Sequence, residues 1–368
     1  MSDLGIPCYT FRAQKPIRGK DMTLAQSLRA LLVLALFSSI ILLFSHLPGH
    51  AQQANDAAQF RAFVASLWPD AQKKNISRAT FDRAFQGVTL DESVIAKTRK
   101  QPEFTRPVWD YINSAVSRSR IETGTVKARE LDALLDKIED KTGVDRFVVL
   151  AVWGMETNFG SFTGNTPVIR ALASLAYVRY RGEFFRNELL TALQILQEGH
   201  VDLANFKGSW AGAMGQTQFM PSSFQRFAVD HDGDGRKNIW SNIPDALAST
   251  GNYLEKNGWV RGATWGYEVN LPSGFDMTQI NSTKSFGSFA RQGVTRVDGD
   301  AMPNEPMATL VAPAGEQGPV FLLTDNFKVI RRYNNSLSYA LGVALLSDRI
   351  AGLPALRTPW PMTKEALR

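Results

Sequence analysis

Val144-Asp-Arg-Phe-Val-Val-Leu-Ala-Val152 and the Trp153-Gly-Met-Glu-Thr-Asn-Phe-Gly160 that follows it form the stretch around which the chain is organised. Past Arg146 the run is apolar on nearly every side, and a helix of that kind must be buried. Asp145 stands where an N-cap is needed, which predicts about three turns of helix ending between Gly154 and Gly160. Glu156 then falls where a buried helix gives out. Loss of water raises a carboxyl pKa, and the negative end of a helix raises it further. A carboxylic acid still protonated near neutral pH is what protonating a leaving oxygen requires. A structural Glu that caps or pairs inside the core is the other reading of the same residue.

Toward the N-terminus, Ala30 to Asn55 holds no Asp, Glu, Lys or Arg, and Leu31 to Phe44 is almost wholly Leu, Val, Ile, Ala, Phe and Ser. Lys20 and Arg29 precede this run, and Gly49-His-Ala51 follows with small residues where a signal peptidase reads. The expectation is an export signal over residues 1–51, with an uncleaved membrane anchor as the other reading. The only cysteine, Cys8, precedes the apolar run, so it is not the lipid-bearing residue that would follow such a signal and it forms no intrachain disulfide. The whole chain of 368 residues carries a net charge of +6. Beyond residue 51 the balance is 36 basic against 33 acidic residues, too mild a surplus to argue for nucleic acid. A hydrophobic content of 44% excludes general disorder, and the length allows a large core in more than one lobe.

Residues 52–143 read as a helical lobe. Phe60-Arg-Ala-Phe-Val-Ala-Ser-Leu67 and Thr80-Phe-Asp-Arg-Ala-Phe85 have helical apolar spacing, Ser77 opens a helix, and Lys127 to Lys141 is one amphipathic helix stopping at Gly143. After the Glu156 helix come Thr166 to Ala176, with Pro167 near its first turn, and Phe184 to Gln197. Phe206 to Ser222 breaks the pattern. Its glycines and alanines bare the backbone to a ligand, Ser209, Gln216 and Gln218 offer hydrogen bonds, and Trp210 and Phe219 offer flat faces. Such a mixture suits sugar rings; a tight contact between helices is the alternative. Asp230-His-Asp-Gly-Asp-Gly-Arg-Lys-Asn-Ile-Trp240 matches the first half of an EF-hand loop: Asp230, Asp232 and Asp234 in the first ligand positions, Gly235 at the turn, and the Arg236 carbonyl next. Ser241 stands where the closing Glu belongs, leaving Asp245 as the substitute acid. This predicts a structural calcium site, against a solvated acidic turn. From Trp259 to about residue 320, short alternating runs with frequent Gly and Pro predict a small β-rich lobe over 259–325. Residues 326–352 return to helix, and 353–368 read as a loose tail.

In this order, Trp153–Gly160, Ala211-Gly-Ala-Met-Gly-Gln-Thr-Gln-Phe-Met-Pro-Ser-Ser223, the Asp230 loop and Arg332-Tyr-Asn-Asn335 resemble the membrane-bound lytic murein transglycosylase B family. The resemblance covers most of residues 55–352. It implies a mainly α (α+β) protein: a lysozyme-like helical core over 144–258, the helical lobe packed on it, and the β lobe inserted before the final core helix. It implies cleavage of the β-1,4 MurNAc–GlcNAc bond of peptidoglycan to 1,6-anhydromuramoyl products, with Glu156 as single acid and base. By matched position Ser209, Met214, Gln218, Phe219, Tyr111, Tyr253, Tyr333, Asn334 and Tyr339 line the cleft, and Arg181 meets the stem peptide. The metal set is Asp230, Asp232, Asp234, Arg236 and Asp245, with no cofactor for the chemistry. The implied setting is the periplasm of a Gram-negative bacterium, inner-membrane anchoring being the alternative. The implied partners are glycan strands and wall-synthesis or wall-hydrolysis proteins, and the expected state is a monomer.

Two rival functions stay open on the sequence. A hydrolytic muramidase needs a second acid, and Glu183, Glu188 and Asp202 read as surface pairs on helices. A non-catalytic peptidoglycan-binding scaffold needs no desolvated acid at all.

Overall fold

The computed structural model describes residues 47–99, 107–303 and 307–361. Most of the expected export signal, residues 1–46, lies outside the described residues, as does the end of the tail. Among the described residues no helix is long and apolar enough to cross a membrane. The chain divides into two units, Met1–Gln59 and Phe60–Arg368.

Helices α1 (Leu47–Ser66), α2 (Trp68–Lys73), α3 (Arg78–Phe85) and α4 (Glu92–Thr98) come first. They are followed by α5 (Val108–Ala115), α6 (Arg118–Glu130), α7 (Asp132–Thr142) and α8 (Arg146–Thr157). Next are α9 (Val168–Tyr177), α10 (Phe184–Gln197), α11 (Pro221–Phe227) and α12 (Ile243–Lys256). The sheet lobe carries α13 (Phe286–Arg291), and α14 (Asp325–Tyr333) and α15 (Leu337–Ile350) follow it. Starts are set locally: the side chains of Ser77, Asp91, Ser117, Asp145, Asn242 and Ser336 each accept a backbone N–H of the first turn. The single helix expected over Lys127 to Lys141 is two, α6 and α7, meeting at Leu131. Pro167 pairs in a two-residue strand, β1 (Thr166–Pro167), against β2 (Lys207–Gly208), and the helix begins one residue later.

Three apolar cores organise residues 60–361. The first gathers α8 and α15, with Leu150, Ala151, Val152, Leu341 and Ala344 fully buried, and takes in Leu135 and Ile138 of α7. Each large side chain so removed from water contributes about 1.5–3 kcal/mol. The second joins Phe60, Leu67 and Phe81 to Leu172, Leu189 and Phe224. The expected helical lobe 52–143 is therefore shared between two cores instead of standing as one body. Tyr253 and Tyr333 pack against both, which marks the seam.

The third core lies under the β lobe, around Val269, Phe286, Phe289, Leu310 and Leu322. Its sheet is antiparallel, made from β3 (Gly266–Asn270), β4 (Thr283–Lys284), β5 (Thr295–Arg296), β6 (Ala308–Val311) and β7 (Val320–Leu323) in the order β4-β6-β7-β3-β5. Gly266 faces Leu323 and Leu310 faces Leu322 across it. The segment 353–361 is not loose. Glu268 accepts the backbone N–H groups of Arg357 (2.9 Å) and Thr358 (2.8 Å), and Trp360 lies against Phe321.

Candidate active site

Glu156 sits in the last turn of α8, as the apolar run and the Asp145 cap require. Asp145 accepts the N–H groups of Phe147 (2.7 Å) and Val148 (3.3 Å). At the other end Asn158 takes the left-handed conformation and Phe159 folds back over Gly154, where a Cβ would come within 2.7 Å of the ring. Trp153 meets Phe159 edge to face. The helix therefore stops at a fixed place, with Glu156 half-buried beside the seam between the two cores.

Burial pushes the Glu156 carboxyl up to about 7, while a hydrogen bond from the Tyr339 hydroxyl draws it down. That bond, Oη to Oε1, is 2.6 Å long. Among the described residues no Lys or Arg forms an ion pair with Glu156, and no second carboxylate contributes to its shift. The acid is thus held by a neutral donor in a place poor in water.

The other expected residues divide. Tyr339 is buried against the acid itself, and Tyr333 is near enough for the Glu156 charge, with burial, to raise its hydroxyl well above the usual range. The Tyr333 hydroxyl donates to Thr217 O at 2.7 Å, and its ring lies tilted against Tyr253 (centroids 4.7 Å apart) and Phe219 (5.8 Å). Tyr111 reaches Tyr339 from α5. Met214 is fully buried and Phe219 nearly so, and a backbone bridge joins the two. Ser209 is half-buried and its Oγ accepts Ala211 N and Ala213 N, leaving the hydroxyl proton to donate. Gln218 donates Nε2 to Thr163 O (3.1 Å) and Gly215 O (2.9 Å), which leaves its amide oxygen as acceptor. Asn334 is exposed at the end of α14. Arg181 lies exposed in the turn before α10, over Tyr180 at 5.4 Å, and is not drawn into this group.

The candidate second acids part company as well. Glu183 pairs with Arg179 at the surface and Asp202 is exposed. Glu188 corrects the reading of a surface pair: it is 3% exposed and accepts both the N–H (2.8 Å) and the hydroxyl (2.6 Å) of Ser222, capping α11 from α10. Its partner lies 34 positions along the chain, beyond any periodic signal. Gln216, read as a ligand for sugar, is buried too.

In the acidic loop, oxygens of Asp230, Asp232 and Asp245 all lie within 4.8 Å of one another. Oxygens bound on opposite sides of a calcium ion at about 2.3–2.6 Å stand about 5 Å apart, so the three carboxylates fit such an ion. Asp234 stands outside this cluster and accepts Arg236 N at 2.8 Å, which orders the turn.

The model of the family described as the transglycosylase SLT domain matches residues 59–348. The chain is 32% identical over 270 residues to membrane-bound lytic murein transglycosylase B of Escherichia coli (strain K12), covering 71% of this chain and 73% of that protein. Among solved structures it resembles SltB3 from Pseudomonas aeruginosa in complex with NAG-NAM-pentapeptide, with 44% identity, 82% of both chains covered and a TM-score of 0.80. It also resembles the Escherichia coli lytic transglycosylase SLT35 in complex with calcium, with 28% identity, 80% of this chain and 93% of that one covered, and a TM-score of 0.68. A match over most of the chain, agreeing with a helical core whose buried helix carries Glu156 in its last turn, means that this chain belongs to the lytic murein transglycosylases of the transglycosylase SLT domain family.

Proposed function

We propose that this lytic transglycosylase works with Glu156 as its single acid and base on the β-1,4 MurNAc–GlcNAc bond of peptidoglycan. The observation that carries the reading is a carboxyl raised to about 7 that, among the described residues, is held by the Tyr339 hydroxyl and paired with no cation. The protonated carboxyl gives its proton to the glycosidic oxygen as the C1–O bond breaks, and the GlcNAc hydroxyl leaves. The substrate's N-acetyl group steadies the positive C1. Glu156, now a carboxylate, takes the proton from the muramic C6 hydroxyl, whose oxygen closes on C1. The 1,6-anhydro ring forms, the proton returns to Glu156, and no water is consumed. Ser209 and Gln218 supply one free donor and one free acceptor to the sugars, and the Tyr253–Tyr333 face borders them.

The chemistry separates this from hydrolysis. A muramidase would place a second carboxylate near the acid, and among the described residues none shifts Glu156. Mass spectrometry of purified sacculi digested by residues 52–368 should show products lighter by one water than hydrolysed muropeptides; hydrolysed ends as the main product would overturn the proposal. Asp230, Asp232 and Asp245 would hold a calcium ion, which neutralises their charges, ties the loop to α12 and takes no part in the reaction. The uncharged run after Arg29 supports action outside the inner membrane.

Tyr339→Phe tests the tuning of the acid. A hydrogen bond to a charged group contributes about 1.5–3 kcal/mol, so its loss should raise the Glu156 pKa by about one to two units. Cleavage needs the protonated form and is lost as pH rises through that pKa. The alkaline limb of the kcat profile should therefore move up by at least about one unit. A limb that stays in place would mean that another group sets it.

A further inference from the structure

We infer that Gln216 is a positioning residue for Glu156, a buried amide that fixes the end of α8 and joins it to the acidic loop between Asp232 and Asp245. The sequence offers Gln216 to a ligand, yet it is 6% exposed and every polar group it owns is turned into the protein. Its Oε1 accepts the Trp153 indole N–H at 3.0 Å, and its main-chain oxygen accepts the Thr157 hydroxyl at 3.0 Å. Trp153 lies three residues before Glu156 and Thr157 one after, so the two bonds straddle the acid. The Thr157 hydroxyl also accepts Gly160 N at 3.1 Å, and the exit turn closes so tightly that a Cβ on Gly160 would come within 2.7 Å of Gln216 Oε1.

On its other side Gln216 N donates to Ile239 O (2.8 Å) and its Nε2 to Trp240 O (3.4 Å). Trp240 N in turn donates to the side chain of Asn238, whose own N–H donates to Asp245. Through Gln216 the helix end is tied to that loop, and Thr217, next in the chain, receives the Tyr333 hydroxyl. One short segment therefore holds the acid's helix and one tyrosine of the seam in register.

Among the described residues, the titratable groups that interact with Glu156 are Tyr339 from α15 and Tyr333 from α14, with Tyr111 of α5 acting on Tyr339. Cutting the Trp153–Gln216 bond leaves a buried indole N–H without an acceptor. The last turn must then shift to find one, which lets water reach the carboxyl. Better hydration favours the carboxylate, so the acid form is lost at a lower pH.

This inference rests on Glu156 being the acid, which the inactivity of Glu156→Gln decides separately. Gln216→Met keeps the bulk of the side chain without its two side-chain hydrogen bonds. Trp153→Phe takes away the indole N–H with part of the ring and leaves Gln216 Oε1 without that donor, and it serves if the first variant does not fold. Each should lower the alkaline limb of kcat by about one pH unit, a tenfold change in the protonation ratio, with KM for a muropeptide dimer within about twofold. The double variant should move the limb no further than either single one. A lowered melting temperature with an unmoved limb would overturn the proposal and leave Gln216 a packing residue. A raised KM at unchanged kcat would overturn it by showing that Gln216 meets substrate.

Discussion

Glu156→Gln is expected to reduce cleavage of glycan strands by at least about a thousandfold, as a general acid contributes about 10²–10⁴ and here the same residue serves both steps. Among the described residues no second carboxylate contributes to its shift. The same change should stabilise the protein at alkaline pH. The folded carboxyl titrates at about 7, against about 4.3 in an unfolded chain. Between these values the folded state keeps a proton that the unfolded state releases, so stability is fully present below the unfolded pKa and lost as pH rises through 7. The whole effect is at most about 4 kcal/mol. Glutamine has no charge to desolvate and still offers Tyr339 an acceptor. Melting curves of the variant and the wild type should nearly coincide at about pH 4.5 and separate by roughly 6 °C above pH 8. Persistent lysis by the variant would remove Glu156 from the chemistry. Equal melting at alkaline pH would show the carboxyl to be an ordinary, hydrated one.

That the decisive helix was legible follows from its physics being local. Asp145 supplies the cap, Val148 to Trp153 leave no face for water, and the left-handed Asn158 ends the run where the sequence loses its periodicity. The β lobe was legible for a similar reason, since alternation in Gly266–Asn270 and Ala308–Val311 sets a strand's two faces without reference to its partners. What failed depended on distant partners. Leu131 carries neither Gly nor Pro, and the break between α6 and α7 comes from its packing against the first core. Glu188 shows the charged spacing of a surface helix until Ser222 arrives from the far side of the loop. Residues 353–361 look unstructured by composition, and Glu268 on β3, far back in the chain, gives the Arg357 and Thr358 N–H groups their acceptor. At the candidate site the residue types were legible but not their directions. A short Gly- and Gln-rich segment does not reveal that Gln216 turns inward while Gln218, two residues on, keeps its oxygen free.

Asp245→Ala should cost about 2–6 kcal/mol of stability, because it strips two half-buried backbone donors of their acceptor, at about 1–3 kcal/mol each. Asp245 is 0% exposed and accepts His231 N and Asn238 N, both at 2.7 Å, so it closes the acidic loop onto the start of α12. Asp232 gives a sharp contrast. It is exposed, and its partners are Asp234 N and the Asn242 side chain at the loop surface, so Asp232→Ala should cost less than about 1 kcal/mol without a cation. Both changes should nevertheless weaken the response to calcium, since each removes one of the three carboxylates that converge there. A ligand at a hundred times its Kd raises stability by about 2.7 kcal/mol. The wild type should therefore gain several degrees in melting temperature with millimolar calcium, and Asp245→Ala should gain none. Undiminished calcium stabilisation in Asp245→Ala would place the ion elsewhere. A wild type indifferent to calcium would mean that the amide network holds this loop unaided, with Asp245 acting only as the acceptor that joins it to α12.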